Sequence, residues 1–149
     1  MIRKATAGDV PYILELYAAG LGELGFDGID KERLLAKVIS SYHLAPCFLL
    51  VIDDKICGMA GLSVNIIPWS GKATLCDYIF YIRPEYRGLS NFGGLVKACK
   101  DFSDEVSLPL SFNFTVNDDE DVRKRVFKMH GFETKYITGT YNGSTVGSK

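Results

Sequence analysis

The chain has 149 residues, of which 17 are basic and 18 acidic, so its formal net charge at pH 7 is -1. This length fits one domain of ordinary size, and a hydrophobic content of 47% is enough to build its core. The near-neutral charge, without a basic stripe, argues against a nucleic-acid partner, and no apolar run approaches the ~20 residues that a membrane-spanning helix needs.

The first third of the chain predicts a strand followed by two helices. Residues 2–5, IRKA, read as a short strand, and Thr6-x-x-Asp9 resembles a capping box at the start of a helix. Apolar side chains then recur at helical spacing until the segment 20–28, GLGELGFDG, whose glycines are expected to break the helix. Asp30 is expected to cap the second helix with its carboxylate.

The middle of the chain predicts a hairpin and a long strand. Residues 47–64, CFLLVIDDKICGMAGLSV, contain two β-rich runs about Asp53-Asp54, which is typical of an antiparallel hairpin. Residues 73–82, ATLCDYIFYI, predict the next strand. Strict alternation assigns its side chains to two faces: Leu75, Asp77, Ile79 and Tyr81 to one, and Cys76, Tyr78, Phe80 and Ile82 to the other.

The last part of the chain predicts alternating helices and strands: a helix over 91–102, a strand over 108–116, a helix over 117–131 and a strand over 132–141. The whole order, β-α-α-β-β-β-α-β-α-β, predicts an α/β domain. We expect a mixed, mostly antiparallel central sheet, flanked by helices, with a parallel element in its second half. We assign residues 1–142 to this single domain and 143–149 to a flexible C-terminal tail.

The cysteines and histidines predict no metal or redox site. Cysteines stand at positions 47, 57, 76 and 99 without a C-x-x-C pair, so we expect reduced, buried thiols. The two histidines have no cysteine or acidic cluster beside them, so no bound metal is expected. The N-terminal sequence MIRKATAGD lacks the apolar core of a signal peptide, and we therefore expect a cytoplasmic protein.

Four stretches, taken in order, carry a family resemblance: IRKATAGDVPYILEL, VIDDKICGMAGLSV, YIFYIRPEYRG and VFKMHGFE. Together they are similar to the GNAT family of acyl-CoA-dependent N-acetyltransferases. The resemblance implies a GNAT-like fold and an enzyme that transfers an acetyl group from its cosubstrate, acetyl-CoA, to a primary amine. The acceptor would be a small-molecule amine or a protein amine, and the sequence specifies neither the acceptor nor the oligomeric state.

The resemblance places the coenzyme A pyrophosphate at a helix N-terminus, where backbone N–H groups lack intrahelical partners. The implied cofactor-binding residues of this loop are Arg87, Gly88, Leu89, Ser90, Asn91, Phe92 and Gly93. Against the family pattern R/Q-x-x-G-x-G/A, Ser90 and Phe92 replace the two glycines. Phe92 either points away from the pyrophosphate or fills its site. A helix that begins later would instead present Gly93 and Gly94 to the phosphate.

The strand before this loop is implied to hold the thioester. In the resemblance, backbone groups of Phe80, Tyr81 and Ile82 pair with the pantetheine arm and polarise the thioester carbonyl. Direct attack also needs a group that accepts the proton of the amine. Asp77 is the catalytic candidate, because a carboxylate in an apolar strand requires either a partner or a function. The other interpretation is an Asp77 that is paired with a neighbouring polar group or faces solvent.

One family role has no counterpart in this sequence. The family often uses a tyrosine, four residues before the glycine of its last motif, to protonate the leaving thiolate. Phe127 stands at that position, so it is expected to serve packing, and no other tyrosine is selected for the role. Phe92 and Phe127 together favour the alternative hypothesis, a catalytically degenerate GNAT-fold binding or assembly module without cofactor turnover.

Overall fold

A six-stranded mixed sheet is the centre of the computed structural model, which describes residues 1–113, 115–116 and 120–133. The strands are β1 (Ile2–Lys4), β2 (Cys47–Ile52), β3 (Lys55–Ile66), β4 (Ala73–Ile82), β5 (Leu110–Ser111) and β6 (Thr115–Val116). The helices are α1 (Val10–Glu23), α2 (Lys31–Tyr42), α3 (Leu89–Val106) and α4 (Glu120–Met129). The predicted last strand, apart from its first two residues, and the predicted tail lie outside the described residues.

The strand order is β1-β2-β3-β4-β5, and β6 also lies beside β4. Strands β1 to β4 pair with their neighbours in antiparallel fashion, whereas β5 and β6 both pair with β4 in parallel. The predicted sheet, mostly antiparallel with a parallel element in the second half, is therefore confirmed.

Each face of the sheet packs against its own pair of helices. Helices α1 and α2 cover one face with Ile13, Leu16, Tyr17, Leu34 and Val38, which pack on Leu49, Met59, Ile79 and Tyr81. Helices α3 and α4 cover the other face with Phe92, Leu95, Val96, Cys99 and Val126, which pack on Phe48, Leu50, Phe80 and Ile82. Burial of these apolar surfaces is the main force that holds the layers together. Strand β4 contributes side chains to both layers, and the site described below lies along it.

Helix α1 continues through Gly20 and Gly22, contrary to the prediction that this segment breaks the helix. A Cβ atom at Gly20 would lie 3.0 Å from Ile79 Cγ1 and 3.2 Å from Tyr81 Cβ. The missing side chain thus lets α1 approach β4 closely, and tertiary packing outweighs the low helix propensity of glycine. The chain turns away only at Gly25, whose φ of +89° suits glycine.

The predicted helix cap and hairpin are both confirmed. The Asp30 carboxylate accepts the backbone N–H of Glu32 at 3.0 Å, which satisfies a donor that the first turn of α2 leaves open. Asp53 and Asp54 have φ values of 50° and 62°, as a type I′ turn requires, and they connect β2 to β3.

Asp9 is a buried carboxylate that joins β1 to the start of α1. It accepts Arg3 Nη1 at 2.7 Å, Arg3 Nη2 at 3.0 Å and the Thr6 backbone N–H at 2.7 Å. The hydrogen bond from Arg3, helped by those from Thr6, holds the pKa of Asp9 well below its usual range, against the opposing effect of burial. The bidentate pair therefore contributes stability only while Asp9 is ionised.

Replacing Asp9 with asparagine should lower the free energy of unfolding by about 2 kcal/mol at pH 7, because charge-assisted bonds are lost. The folded-state pKa is depressed, so the advantage of the wild type is complete above the unfolded pKa of about 3.9 and shrinks as pH falls below it. Urea unfolding of both proteins at several pH values measures this difference. The exposed Asp101, paired with Lys97, is the control, and its asparagine variant should lose less than about 0.5 kcal/mol. A difference for Asp9 that does not shrink at low pH would contradict the assignment.

Candidate functional site

A β-bulge in β4 changes which side chains face each core. Gly61 of β3 pairs with Ile79, whereas Leu62 pairs with Asp77, so Tyr78 is an extra residue in β4. The predicted strict alternation is therefore wrong beyond Tyr78. The side chains on the α3–α4 face are Leu75, Phe80 and Ile82, and those on the α1–α2 face are Tyr78, Ile79 and Tyr81.

The Tyr78 ring occupies the space beside Gly61. A Cβ atom at Gly61 would lie 2.2 Å from Tyr78 Cζ, so no larger residue fits without a shift. The ring also packs on Tyr17 at a centroid distance of 5.1 Å, and the Tyr78 hydroxyl lies beside the buried Cys47 thiol. Burial raises the pKa of Tyr78 and raises the pKa of Cys47 to about 12. Both groups stay protonated at neutral pH, and all four cysteines are free and buried, as predicted.

Strands β5 and β6 are two parts of one interrupted ladder along the edge of β4. Leu75 of β4 pairs with Leu110, and further along Phe80 pairs with Thr115, without a shift of register between them. The β4 edge at Phe80 and Tyr81, which the resemblance implies for the pantetheine arm, is thus paired with β6 in this structure. The predicted single strand over 108–116 is instead divided into these two short strands.

Asp77 lies where this ladder is interrupted. Asp77 is only 1% exposed, and its Oδ1 accepts the backbone N–H of Asn113 at 2.7 Å. The Asn113 side-chain amide donates in turn to Cys76 Sγ at 3.0 Å. The carboxylate thus takes the place of a strand carbonyl, which agrees with the interpretation of an aspartate paired with a polar neighbour. Its negative charge adds to burial in raising the pKa of Cys99 on α3.

The N-terminal turn of α3 is open to solvent. The helix begins at Leu89, earlier than predicted, and its first intrahelical bond runs from the Phe92 N–H to the Gly88 carbonyl at 3.0 Å. The N–H groups of residues 88–91 precede that bond, and Gly88, Leu89 and Ser90 are exposed. Asn91 donates from its side chain to the Tyr86 carbonyl at 2.7 Å, which fixes the turn before the helix.

Phe92 points away from this turn and into the core. It is 1% exposed, and its ring lies 5.0 Å from that of Phe80 and 5.6 Å from that of Phe127, centroid to centroid. Phe127 also stacks on Phe112 at 5.5 Å and contacts Phe132, so this half-buried ring packs against the core, as predicted. Of the two alternatives for Phe92, the structure has the one that leaves the turn unobstructed.

Gly93 and Gly94 lie inside α3 and do not form its N-terminal turn. A Cβ atom at Gly93 would lie 3.9 Å from Val126 on α4, and one at Gly94 would lie 3.6 Å from Ile2 on β1. Both glycines therefore face neighbouring elements, and the hypothesis of a helix that begins later is wrong.

Three polar side chains, Glu23, Tyr81 and Arg87, form a cluster that joins the end of α1 to the end of β4. We call it the Glu23 cluster. The Glu23 carboxylate accepts Arg87 Nη2 at 2.7 Å and the Tyr81 hydroxyl at 3.1 Å. Arg87 also donates from Nε to the Ile82 carbonyl at 2.7 Å, and its guanidinium lies 5.5 Å from the centroid of the Tyr81 ring. The Arg87 side chain is 9% exposed, so the structure ties it to the protein interior rather than to the open turn.

Glu23 was not predicted from the sequence. Its partner Arg87 lies 64 positions away in the chain, and an acidic residue among glycines carries no local signal of such a pair. Burial, with a smaller contribution from the Glu23 charge, raises the pKa of Tyr81, so its hydroxyl remains a donor at neutral pH.

Over residues 1–113, 115–116 and 120–133 no group of three or more His, Cys, Asp or Glu side chains could hold a metal ion. Within the same residues, none of the helices has the length and apolar character needed to cross a membrane.

No protein-family model matches the sequence, and no curated protein matches it either. The structure, however, is similar to solved acetyltransferases over nearly its whole length. A predicted acetyltransferase from Clostridium acetobutylicum, solved with acetyl-CoA, has 17% identity and a TM-score of 0.72, with 95% of each chain covered. The aminoglycoside acetyltransferase meta-AAC0020 from an uncultured soil metagenomic sample, solved with trehalose, has 15% identity and a TM-score of 0.70, with 97% of this chain and 96% of that one covered.

A third similar structure is that of an enzyme whose name gives a different class of acceptor, a ribosomal protein. Ribosomal-protein-alanine N-acetyltransferase from Brucella melitensis has 15% identity and a TM-score of 0.67, with 96% of this chain and 99% of that one covered. At such identities the likeness concerns the fold alone.

Proposed function

We propose that this chain, which has the GNAT acetyltransferase fold, transfers an acetyl group from acetyl-CoA to a primary amine by direct attack of the amine on the thioester. The observation that carries the proposal is the open N-terminal turn of α3, with the Phe92 side chain turned into the core. Fold likeness alone would leave the activity open, because one fold hosts many functions.

The open turn is the proposed site of the coenzyme A pyrophosphate. The N–H groups of residues 88–91 have no earlier carbonyl within the helix to bond, and α3 is long enough to present a positive N-terminal dipole. The exposed Ser90 adds a hydroxyl donor beside them. In this proposal Phe92 and Gly93 support the turn from inside, and Arg87 holds the preceding loop through its bonds to Ile82 and Glu23.

The pairing of β6 with β4 sets a condition on the proposal. Backbone groups of Phe80 and Tyr81 face β6 in the described structure, so the pantetheine arm can pair with them only after β6 separates from β4. A separation that extends as far as Asn113 would also break the bond from its backbone N–H to the Asp77 carboxylate. At the end of β4, the Ile82 carbonyl is already bonded to Arg87 Nε.

Asp77 is the proposed acceptor of the amine proton. Its carboxylate is covered by the Asn113 backbone, so the same separation of β6 has to expose it before it can act on a substrate. The acceptor is proposed to be a primary amine of a small molecule or of a protein. The names of the similar enzymes include one acceptor of each kind, an aminoglycoside and a ribosomal protein.

A second candidate is a GNAT-fold binding or assembly module without cofactor turnover. Two observations favour it: β6 pairs with the β4 edge that the arm would use, and Phe127 stands where a tyrosine would protonate the thiolate. Coenzyme A thiolate is a fair leaving group, so the missing tyrosine by itself does not exclude turnover.

An assay for free coenzyme A thiol released from acetyl-CoA tests the proposed function. The candidate acceptors are an aminoglycoside, a polyamine and a peptide with a free N-terminus. We expect at least one amine to raise the rate above hydrolysis. Asp77→Asn keeps an oxygen for the Asn113 N–H, so it should fold and bind acetyl-CoA normally but transfer acetyl about 100-fold more slowly. Acetyl-CoA binding with no amine-dependent release by the wild type would favour the second candidate, and unchanged turnover in Asp77→Asn would remove Asp77 from the mechanism.

A further inference from the structure

The Glu23 cluster connects two segments that are far apart in the sequence. Arg87 directly precedes Gly88, the N-cap of α3, and its Nε bond to the Ile82 carbonyl closes the connection from β4 to the open turn. Glu23 is the last residue of α1 and accepts Nη2 of the same guanidinium. Two bonds from one guanidinium to different acceptors fix its orientation as well as its position, because the group is planar.

The segment that follows Glu23 is exposed and built around glycines. Gly25 and Gly28 have φ values of +89° and +62°, and Leu24 and Phe26 are 40% and 54% exposed. Few buried apolar contacts restrain such a segment, so its order depends on how its ends are held. This segment, 24–29, directly follows the Glu23 cluster in the chain.

We propose that Glu23 is a positioning residue that couples the phosphate-binding turn to the segment 24–29, an inference that rests on the proposed function. In this proposal Glu23 contacts neither acetyl-CoA nor the amine. It holds Arg87 on one side and the Tyr81 hydroxyl on the other, so the loop before α3 and the end of α1 are fixed together. A cofactor that orders the loop should therefore also order the segment 24–29.

The same helix offers a matched control. Glu15, also on α1, pairs with Arg83 at 2.8 Å, and Arg83 belongs to the same connection between β4 and α3. The Glu15 side chain is 66% exposed, compared with 31% for Glu23. Glu15→Gln therefore removes an acid–arginine pair from the same two elements without disturbing the Glu23 cluster.

Two measurements on Glu23→Gln test the inference: the acetyl-CoA dissociation constant by calorimetry, and the hydrogen exchange of residues 24–29 with and without saturating acetyl-CoA. We expect the dissociation constant to rise at least about fivefold. We also expect acetyl-CoA to slow exchange of the segment in the wild type and in Glu15→Gln but not in Glu23→Gln. Arg87→Lys keeps the charge but loses the planar fork, and it should reproduce the loss of coupling.

The failures of the two proposals are distinguishable. A wild type that binds no acetyl-CoA would overturn the proposed function. A wild type that binds, with a Glu23→Gln variant that binds as well or better, would overturn only the positioning role. Tighter binding would mean that Glu23 had withheld Arg87 from the phosphate. If acetyl-CoA still protected residues 24–29 in Glu23→Gln, the coupling would be overturned. A variant that is only less stable would keep the difference in exchange between its free and acetyl-CoA-bound forms.

Discussion

Replacing Phe92 with alanine is expected to lower the free energy of unfolding by about 3–5 kcal/mol. The side chain is 1% exposed and its ring contacts those of Phe80 and Phe127 at the junction of α3, α4 and the sheet. The cluster of rings that also includes Phe112 and Phe132 has little freedom to collapse into the cavity, because each ring is held by its neighbours. Urea unfolding of the wild type and the variant measures the difference.

Phe26 provides the control for this prediction. Its side chain is 54% exposed, and Phe26→Ala should change the free energy of unfolding by less than about 0.5 kcal/mol. A cost for Phe92→Ala as small as that for Phe26→Ala would mean that the Phe92 ring lies outside the core. The interpretation of an unobstructed turn at the start of α3 would then be untenable.

Replacing Gly61 with alanine is expected to cost about 3 kcal/mol, which is large for a single added methyl group. The new Cβ would stand 2.2 Å from Tyr78 Cζ and 2.6 Å from the Tyr78 hydroxyl oxygen. Tyr78 cannot move away cheaply, because its ring packs on Tyr17 and its hydroxyl lies beside the buried Cys47 thiol. Thermal or urea unfolding of Gly61→Ala measures the cost.

A double-mutant cycle identifies the cause of that cost. Shortening the neighbour in Tyr78→Leu should make the added methyl group at position 61 much less costly, so the two changes should be strongly non-additive. Gly22→Ala is a control for which we expect the opposite effect. Gly22 lies in α1 with nothing within 4 Å of an added Cβ, so the alanine should raise the free energy of unfolding by about 0.5–1 kcal/mol. Additive effects of the Gly61 and Tyr78 changes would contradict the packing described here.

Features that depend on neighbouring residues in the chain were predictable from the sequence. The cap at Asp30, the turn at Asp53-Asp54 and the strand over 73–82 each follow from local backbone preferences or from periodicity. The mixed sheet followed from the order of these elements, and the GNAT-like fold from the resemblance of four short motifs.

Features set by contacts between distant elements were not predictable in the same way. The bulge at Tyr78 reverses the alternation of β4, and nothing in that strand alone marks the extra residue. Gly20 has the low helix propensity of any glycine, yet α1 continues through it because β4 lies close by. The direction of the Phe92 side chain depended on where α3 begins, and Glu23 entered the candidate site only through its contact with Arg87.

A calorimetric titration of the wild-type chain with acetyl-CoA tests the central claim most directly, with Ser90→Glu as its paired variant. The added carboxylate would repel a pyrophosphate at the open turn, whereas it suits the positive end of α3 and should leave the fold intact. We predict one-to-one binding with a dissociation constant below about 1 mM, weakened at least about tenfold, or about 1.4 kcal/mol, in Ser90→Glu. No binding of millimolar acetyl-CoA by the folded wild type, or equal binding by Ser90→Glu, would contradict a phosphate site at the start of α3.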